Sequence, residues 1–329
     1  MDWKKEKVLV TGAGGFIGSH LTEELVKLGA DVTAMVKNNS RHNCGFIEEF
    51  EPEVKDKIKI FFGDLNDIES VKNIVGENKV IFHLGAEISV PYSYVHPRSF
   101  VQTNIIGTLN ILLACKENRI KNLILMSTSE VYGMPDTVPI NEKHLLKGQS
   151  PYSATKIAAE KLAESFYSSY DLPVVIVRVF NTYGPRQSAR AVIPTIITQA
   201  LAGNKISVGN CETTRDFNYV TDIVNGLIKV AECPNVIGEV INIGSGKEIS
   251  IKDLIEKIIS LTESDCEIVQ ESERIRSSKS EVMRLMANNS KMKQLTGWQS
   301  KVSLDDGLKE TINWIKNNIE IYKVGEYKI

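Results

Sequence analysis

Along the first 180 residues, short apolar runs alternate with stretches of helical spacing. Residues 7–11 (KVLVT) form the first run, followed by glycines and then a pattern through Leu21, Leu25 and Leu28 that repeats at helical intervals. Residues 32–36, 58–62 (IKIFF), 79–84 (KVIFHL), 123–127 (LILMS) and 174–179 (VVIVRV) are further buried-strand patterns, and helices are predicted over 100–115 and 152–170. Strands separated by helices of ten to twenty residues imply βαβ units and a parallel sheet, apolar on both faces. A closed barrel of this kind needs eight units. Six precede a change of texture, so the pattern predicts an open, doubly wound α/β sheet.

Beyond residue 180, Gly184-Pro185, Gly203-Asn204 and Gly209-Asn210 punctuate shorter elements. Residues 217–223 and 239–243 read as strands or edges, and 251–261 as a helix. Ser303-Leu304-Asp305-Asp306 is a capping box opening a helix that carries Leu308, Ile312 and Ile315. These elements predict a smaller C-terminal lobe over the sheet's carboxyl edge, interleaved with the sheet rather than strung after it. The expected division is 1–180 plus 216–243 for the sheet, and 181–215 plus 244–329 for the lobe.

Composition narrows the function. Hydrophobic residues are 42% and charged residues 24% of 329, the balance of a globular chain with a core. Lys plus Arg is 39 against Asp plus Glu 41, a net charge of -2, which provides no basic excess for nucleic acid. The five cysteines are scattered with no CxxC pair, which argues against a disulfide framework or a structural zinc. The five histidines show no metal spacing, so no metal is expected. Residues 1–7 are charged and run straight into a strand, and no apolar run approaches a membrane span of roughly 20 residues. No signal peptide and a cytoplasmic location are the expectation.

Gly12-Ala13-Gly14-Gly15-Phe16-Ile17-Gly18 lies between the first strand and the first helix, the context in which glycines let a pyrophosphate approach a helix N-terminus. Gly12, Gly15, Phe16, Ile17 and Gly18 are therefore candidate dinucleotide contacts. The spacing Gly12-x-x-Gly15-x-x-Gly18 resembles the extended short-chain dehydrogenase/reductase superfamily, which implies a Rossmann sheet. NAD-binding chains usually end the second strand on a carboxylate that bonds the ribose 2′-hydroxyl. Here that position holds Val36, with Lys37 and Arg41 just beyond. A carboxylate about 4 Å from a 2′-phosphate would cost about 4 kcal/mol at an effective dielectric of about 20. Its absence favours NADP over NAD, although both cations also read as solvated loop charges. Asp64, followed by Leu65, resembles the superfamily's adenine-binding Asp, or else caps the next helix. Leu84, Gly85 and Ala86 end the fourth strand with residues that let a cofactor lie close.

Tyr152 and Lys156 open the long helix one turn apart. A lysine cation can lower a phenol pKa, and the phenolate can take a hydroxyl proton while hydride leaves for the nicotinamide. Upstream lies Ser127-Thr128-Ser129-Glu130-Val131-Tyr132-Gly133. In extended short-chain reductases this segment's Ser or Thr holds the sugar hydroxyl, a place that Thr128 fills. The segment resembles nucleotide-sugar 4,6-dehydratases, whose Glu removes the C5 proton of a 4-keto intermediate; the resemblance assigns that role to Glu130. Many dehydratases have Asp before it as acid. Ser129 stands here, as in GDP-mannose 4,6-dehydratases, which leaves Glu130 to serve as both base and acid. UDP-glucuronate decarboxylases carry a similar Thr-Ser-Glu-Val-Tyr-Gly segment and remain an alternative, as does a 4-epimerase. A non-catalytic NADP sensor is a further alternative, which Thr128, Tyr152 and Lys156 together disfavour.

The resemblance covers essentially the whole chain. The stretch Arg178-Val179-Phe180-Asn181-Thr182-Tyr183-Gly184-Pro185-Arg186 matches the family's passage into the substrate lobe and implies substrate contacts for Asn181 and Arg186. Arg215, in Thr214-Arg215-Asp216-Phe217, is implied near the nucleotide, where a guanidinium fork suits phosphate. Arg276 and Arg284 lie in a stretch that resembles the Arg-Pro-x-Glu-Val of GDP-sugar dehydratases, lengthened by two residues and with Ser277 where Pro is usual. They would clamp the diphosphate. That version is most similar to the GDP-N-acetylglucosamine 4,6-dehydratases of legionaminic acid synthesis. Ser89, after the fourth strand, is expected to face the hexose. Apolar helix faces in this superfamily often pair subunits, so a homo-oligomer is expected.

Overall fold

The computed structural model describes residues 1–275, 277 and 279–322. Seven strands form one sheet: β1 (Lys7–Thr11), β2 (Asp31–Lys37), β3 (Ile58–Gly63), β4 (Val80–His83), β5 (Asn122–Thr128), β6 (Val174–Val179) and β7 (Val240–Ile243). Their spatial order is β7-β6-β5-β4-β1-β2-β3, every pair parallel. The order reverses between β1 and β4. The connections from these two strands leave toward opposite sides, and a crevice opens at their carboxyl ends.

Burial follows strand alternation. Val8 and Val10 of β1 enter one core layer with Leu21 and Leu25 of α1 (Phe16–Lys27). Leu9 points into the other layer, with Ile81, Ile111 and Phe166. That second layer is closed by α2 (Ile68–Gly76), α3 (Gly107–Asn118) and α4 (Pro151–Tyr170). The lobe has its own core between α5 (Val192–Ala202), α7 (Ile251–Thr262) and α8 (Leu304–Asn317), built on Ile193, Ile197, Leu254, Ile258, Leu308 and Ile312. Ser303 caps α8 by accepting from the Asp306 amide at 3.1 Å.

The strand or edge expected over 239–243 is the seventh strand, Val240–Ile243, which pairs with β6. Two elements differ from the sequence reading. The expected strand over 217–223 is only Asn218–Tyr219, and α6 (Val220–Glu232) begins directly after it. Val220, Ile223, Val224, Leu227 and Ile228 keep helical spacing and are buried against α1, a packing gain that overrides the β propensity of the first few residues. The helix expected over 100–115 opens with a π-helical turn, Val101–Ile106. Asn104 in that turn accepts from the Glu87 amide at 2.8 Å and donates to Thr155 at 3.1 Å, tying the loop after β4 to α4.

Buried carboxylates join lobe and sheet. Asp216 accepts from the amides of Ser245, Gly246 and Ala287 at 2.9–3.1 Å. Asp222 accepts from those of Lys301 and Val302, both at 2.9 Å. Among the described residues, no helix is long and apolar enough to cross a membrane.

Candidate active site

The crevice begins at the glycine loop. Gly12 sits at φ +70°, and a Cβ there would lie 2.9 Å from the Gly85 nitrogen. A Cβ on Gly18 would lie 2.1 Å from the Gly12 carbonyl oxygen, so the helix closes on the loop only with glycine at this position. The N-cap of α1 is Gly15, with no side-chain cap and no acidic residue in the first turn, so the amides around Phe16 and Ile17 remain available to an anion. Thr11 accepts from the Gly85 amide at 3.0 Å and contacts His83 Nδ1 at 2.8 Å, fixing β4 beside the loop. Burial, and then the charge of Lys156, push His83 down to about 3, so it is a neutral packed residue.

The other expected cofactor residues line the same edge. Lys37 and Arg41 are exposed at and beyond the end of β2. Lys37 borders a cavity of about 540 Å³ with Asn66, Glu87 and Arg98. Asp64 accepts from the Asn66 amide at 2.9 Å, whereas α2 is capped by Asp67, which accepts from the Glu69 amide at 3.1 Å. Asp64 is therefore a turn residue and leaves capping to its neighbour. Leu65 fills the space left by Gly85 and Gly107; Leu84 is buried and Ala86 half-buried. Uncapped amides and closely packed glycines fit the pyrophosphate of a dinucleotide.

At the end of β5, Thr128 accepts from the Glu130 amide at 3.2 Å and opens a 3-10 turn, Ser129–Tyr132. Ser150 and Ser153 cap α4 reciprocally, with 3.1 Å and 3.0 Å bonds, which sets Tyr152 in its first turn. Tyr152 shares a hydrogen bond with Thr128; burial pushes its phenol up to about 12, Thr128 opposing and the Glu130 charge adding. Lys156 donates to the Met126 carbonyl at 2.8 Å, and burial pushes it down to about 8 against the charge of Glu160. The expected lowering of the phenol by Lys156 is not the arrangement seen. The ammonium is engaged by β5, and desolvation dominates the phenol.

A cavity of about 890 Å³ lies between this edge and the lobe. Glu130 and Ser89 line it from the sheet, and Asn181, Arg190, Arg215 and Arg274 from the lobe side. Ser89 caps the helix Val90–Val95 at φ +93°, a strained conformation for a residue with a side chain. Arg215 is buried and donates to the Thr214 carbonyl at 2.8 Å. Among the described residues, Asn181 Oδ1 and Gln187 Oε1 are buried acceptors without a protein partner, beside a cavity whose ligand could donate to them.

Other candidates sit elsewhere. Ser129 is buried and does not line the cavity. Arg186 pairs with Glu23 of α1 at 2.9 Å and stacks over Phe50. Arg284 is exposed and paired with Glu248. Arg276 lies outside the described residues. Arg190, which reaches over the Tyr92 ring at 5.5 Å, and Gln187 were not legible beforehand. Neither belongs to a repeating pattern, and only the fold of the 181–191 segment brings them to the cavity.

The family profile described as GDP-mannose 4,6 dehydratase matches residues 9–311. The chain is 31% identical over 325 residues to dTDP-D-glucose 4,6-dehydratase of Homo sapiens, covering 97% of this chain and 92% of that one. It is 37% identical over 324 residues to UDP-N-acetyl-alpha-D-glucosaminuronate decarboxylase of Bacillus cytotoxicus, covering 95% and 98%. The crystal structure of UDP-glucuronic acid 4-epimerase from Bacillus cereus, in complex with UDP-glucuronic acid and NAD, superposes with a TM-score of 0.87 at 31% identity, over 95% of this chain and 99% of that one. The chain belongs to the GDP-mannose 4,6-dehydratase family of nucleotide-sugar enzymes with the short-chain dehydrogenase/reductase fold.

Proposed function

We propose that this chain is an NADP-dependent 4,6-dehydratase of a nucleotide-diphospho hexose, GDP-N-acetylglucosamine first among candidates. The observation that carries the reading is Glu130: its carboxylate lines the large cavity and acts electrostatically on Tyr152, two residues from Thr128. An epimerase that only exchanges hydride at C4 needs no such base; an elimination across C5 and C6 does. Thr128 holds the C4 oxygen, and Tyr152 takes its proton, with Lys156 as the neighbouring cation. A dinucleotide bound at the glycine loop would supply the hydride chemistry, acceptance from C4 and donation to C6. Glu130 removes the C5 proton, now acidified by the C4 ketone, and passes it to the C6 hydroxyl, which leaves as water; C5 regains a proton as C6 accepts hydride, balancing the one that Tyr152 took from the C4 hydroxyl. The product is a 4-keto-6-deoxy sugar.

In this reading the dinucleotide is held by 1–180 plus 216–243 through Gly12, Gly15, Phe16, Ile17, Gly18, Asp64 and Leu65, and Lys37 and Arg41 meet a 2′-phosphate. The sugar nucleotide is held by 181–215 plus 244–329, with Asn181 and Arg215 on the diphosphate side. A cytoplasmic homo-oligomer completes it. A uronate decarboxylase is the second reading, favoured by the 37% identity to an enzyme of that name.

Mass spectrometry after incubation with GDP-N-acetylglucosamine, UDP-N-acetylglucosamine, GDP-mannose and UDP-glucuronate separates the two. Loss of one water from a single substrate supports the dehydratase and names its nucleotide. Loss of carbon dioxide from the uronate overturns it. Glu130→Gln making product at the wild-type rate would remove the elimination role, and extracted dinucleotide identified as NAD would remove the NADP assignment.

A further inference from the structure

Buried one turn beyond Lys156 is an ion pair that the chemistry above does not use. Glu160 of α4 and Arg178 of β6 are 0% and 3% exposed. Arg178 donates through Nη2 to Glu160 Oε2 at 2.7 Å and through Nε to Oε1 at 3.1 Å. Its Nη1 donates to the Tyr132 hydroxyl at 3.0 Å, which in turn donates to Asn242 of β7 at 2.7 Å. Ser127, Arg178 and Asn242 face one another directly across β5, β6 and β7, and the Ser127 hydroxyl donates to Glu160. A buried pair is weak support for stability, because desolvating both ions offsets their attraction. Another reason for this one is visible in its register.

Tyr152, Lys156 and Glu160 are spaced four apart on one face of α4. They bond to three consecutive residues of β5: Tyr152 to Thr128, Lys156 to the Met126 carbonyl and Glu160 to Ser127. We propose that Glu160 is a positioning residue of the active site: neutralised by Arg178, it grips Ser127 and so fixes the end of β5 against α4. Thr128 and Lys156 then keep their places around Tyr152. The inference rests on the reading that Tyr152 is the proton acceptor. Glu160 also faces the Lys156 ammonium from the same helix, with Arg178 on β6 and neutral His83 on β4 as the other ionisable neighbours.

The experiment compares Ser127→Ala, Glu160→Gln and Tyr152→Phe, assayed on the nucleotide sugar that the unaltered chain turns over. Ser127→Ala keeps the ion pair but removes its hold on β5. A slightly displaced constellation lowers kcat roughly ten- to a hundredfold, with KM and dinucleotide affinity unchanged. Glu160→Gln removes the charge that favours the lysine cation, so the alkaline limb of its kcat profile moves to lower pH. Should Glu160→Gln fail to fold, Ser127→Ala alone decides. Wild-type kcat and pH profile in Ser127→Ala, even with a lower melting point, would make the pair purely structural and overturn the proposal. If Tyr152→Phe is inactive in that case, only the positioning role falls. If Tyr152→Phe turns over normally, the reading of the site falls and takes this proposal with it.

Discussion

The two sides of the crevice are built on opposite principles. On the β5–α4 side, Thr128, Tyr152 and Lys156 are buried or half-buried, and each has a partner fixed by strand and helix. On the β2 side, Lys37 and Arg41 stand exposed at a strand end and in a loop shaped by asparagine side chains, such as Asn39 Oδ1, which accepts from the Arg41 amide at 3.1 Å. Desolvation makes the first side electrostatically strong: it moves Lys156 down to about 8 and Tyr152 up to about 12. Water screens the second. In the proposed reading the interior performs proton transfer and the exposed edge discriminates between cofactors differing by one phosphate.

That contrast can be broken or sharpened by substitution. The largest effect is expected from Lys156→Met, with kcat falling about 10²- to 10⁴-fold while thermal stability holds, because a buried cation is removed along with its desolvation cost. In the unaltered enzyme the same lysine is charged below about 8 and neutral above, so activity should fall as pH rises through that value. The unfolded chain keeps that proton up to about 10.4. Between the two values stability therefore gains from this group as pH rises, which a denaturation series against pH would show. Next comes Arg215→Ala on the buried lobe wall. Losing a charged hydrogen bond worth about 1.5–3 kcal/mol should raise KM ten- to a hundredfold by roughly that arithmetic, with kcat held, as steady-state kinetics would report. Lys37→Ala and Arg41→Ala should each shift the NADP-to-NAD affinity ratio by only about two- to fivefold, the scale of exposed charges. Fluorescence titration with both dinucleotides checks this, and a hundredfold shift would show that the β2 edge is less screened than its exposure implies. Smallest for activity is Ser150→Ala, which removes one cap of α4. About 1 kcal/mol should appear as a melting point lower by roughly 2 °C, with turnover kept.

The first six strands, the helix carrying Tyr152 and the glycine turn were all legible in the residues, because each rests on a local pattern with a fixed period. Buried parallel strands must be apolar throughout, and a helix on their surface must repeat its apolar residues at three and four. The seventh strand was harder, since 239–243 is short and follows a long departure from the alternating pattern. The start of α6 differs from the expectation because residues 217–223 have strand-like composition, and from Val220 onward they become helical only through packing on α1. Among candidate residues, motif spacing singled out Tyr152, Lys156, Thr128 and Glu130. It could not show that Lys156 bonds to the Met126 carbonyl, or that Arg186 and Arg284 are engaged by Glu23 and Glu248. A long cation's partner depends on which carboxylate the fold brings near.

The sequence by itself determined the α/β alternation, the dinucleotide-type turn and the set of groups available for proton transfer, because these follow from periodicity and from spacing within one element. Only the tertiary structure decided which groups meet across elements: Glu130 with the cavity of Asn181 and Arg215, Ser127 with Glu160 and Arg178, and His83 with Thr11. Those meetings join residues tens of positions apart, and their charges and hydrogen bonds take their strength from burial, which no local pattern records.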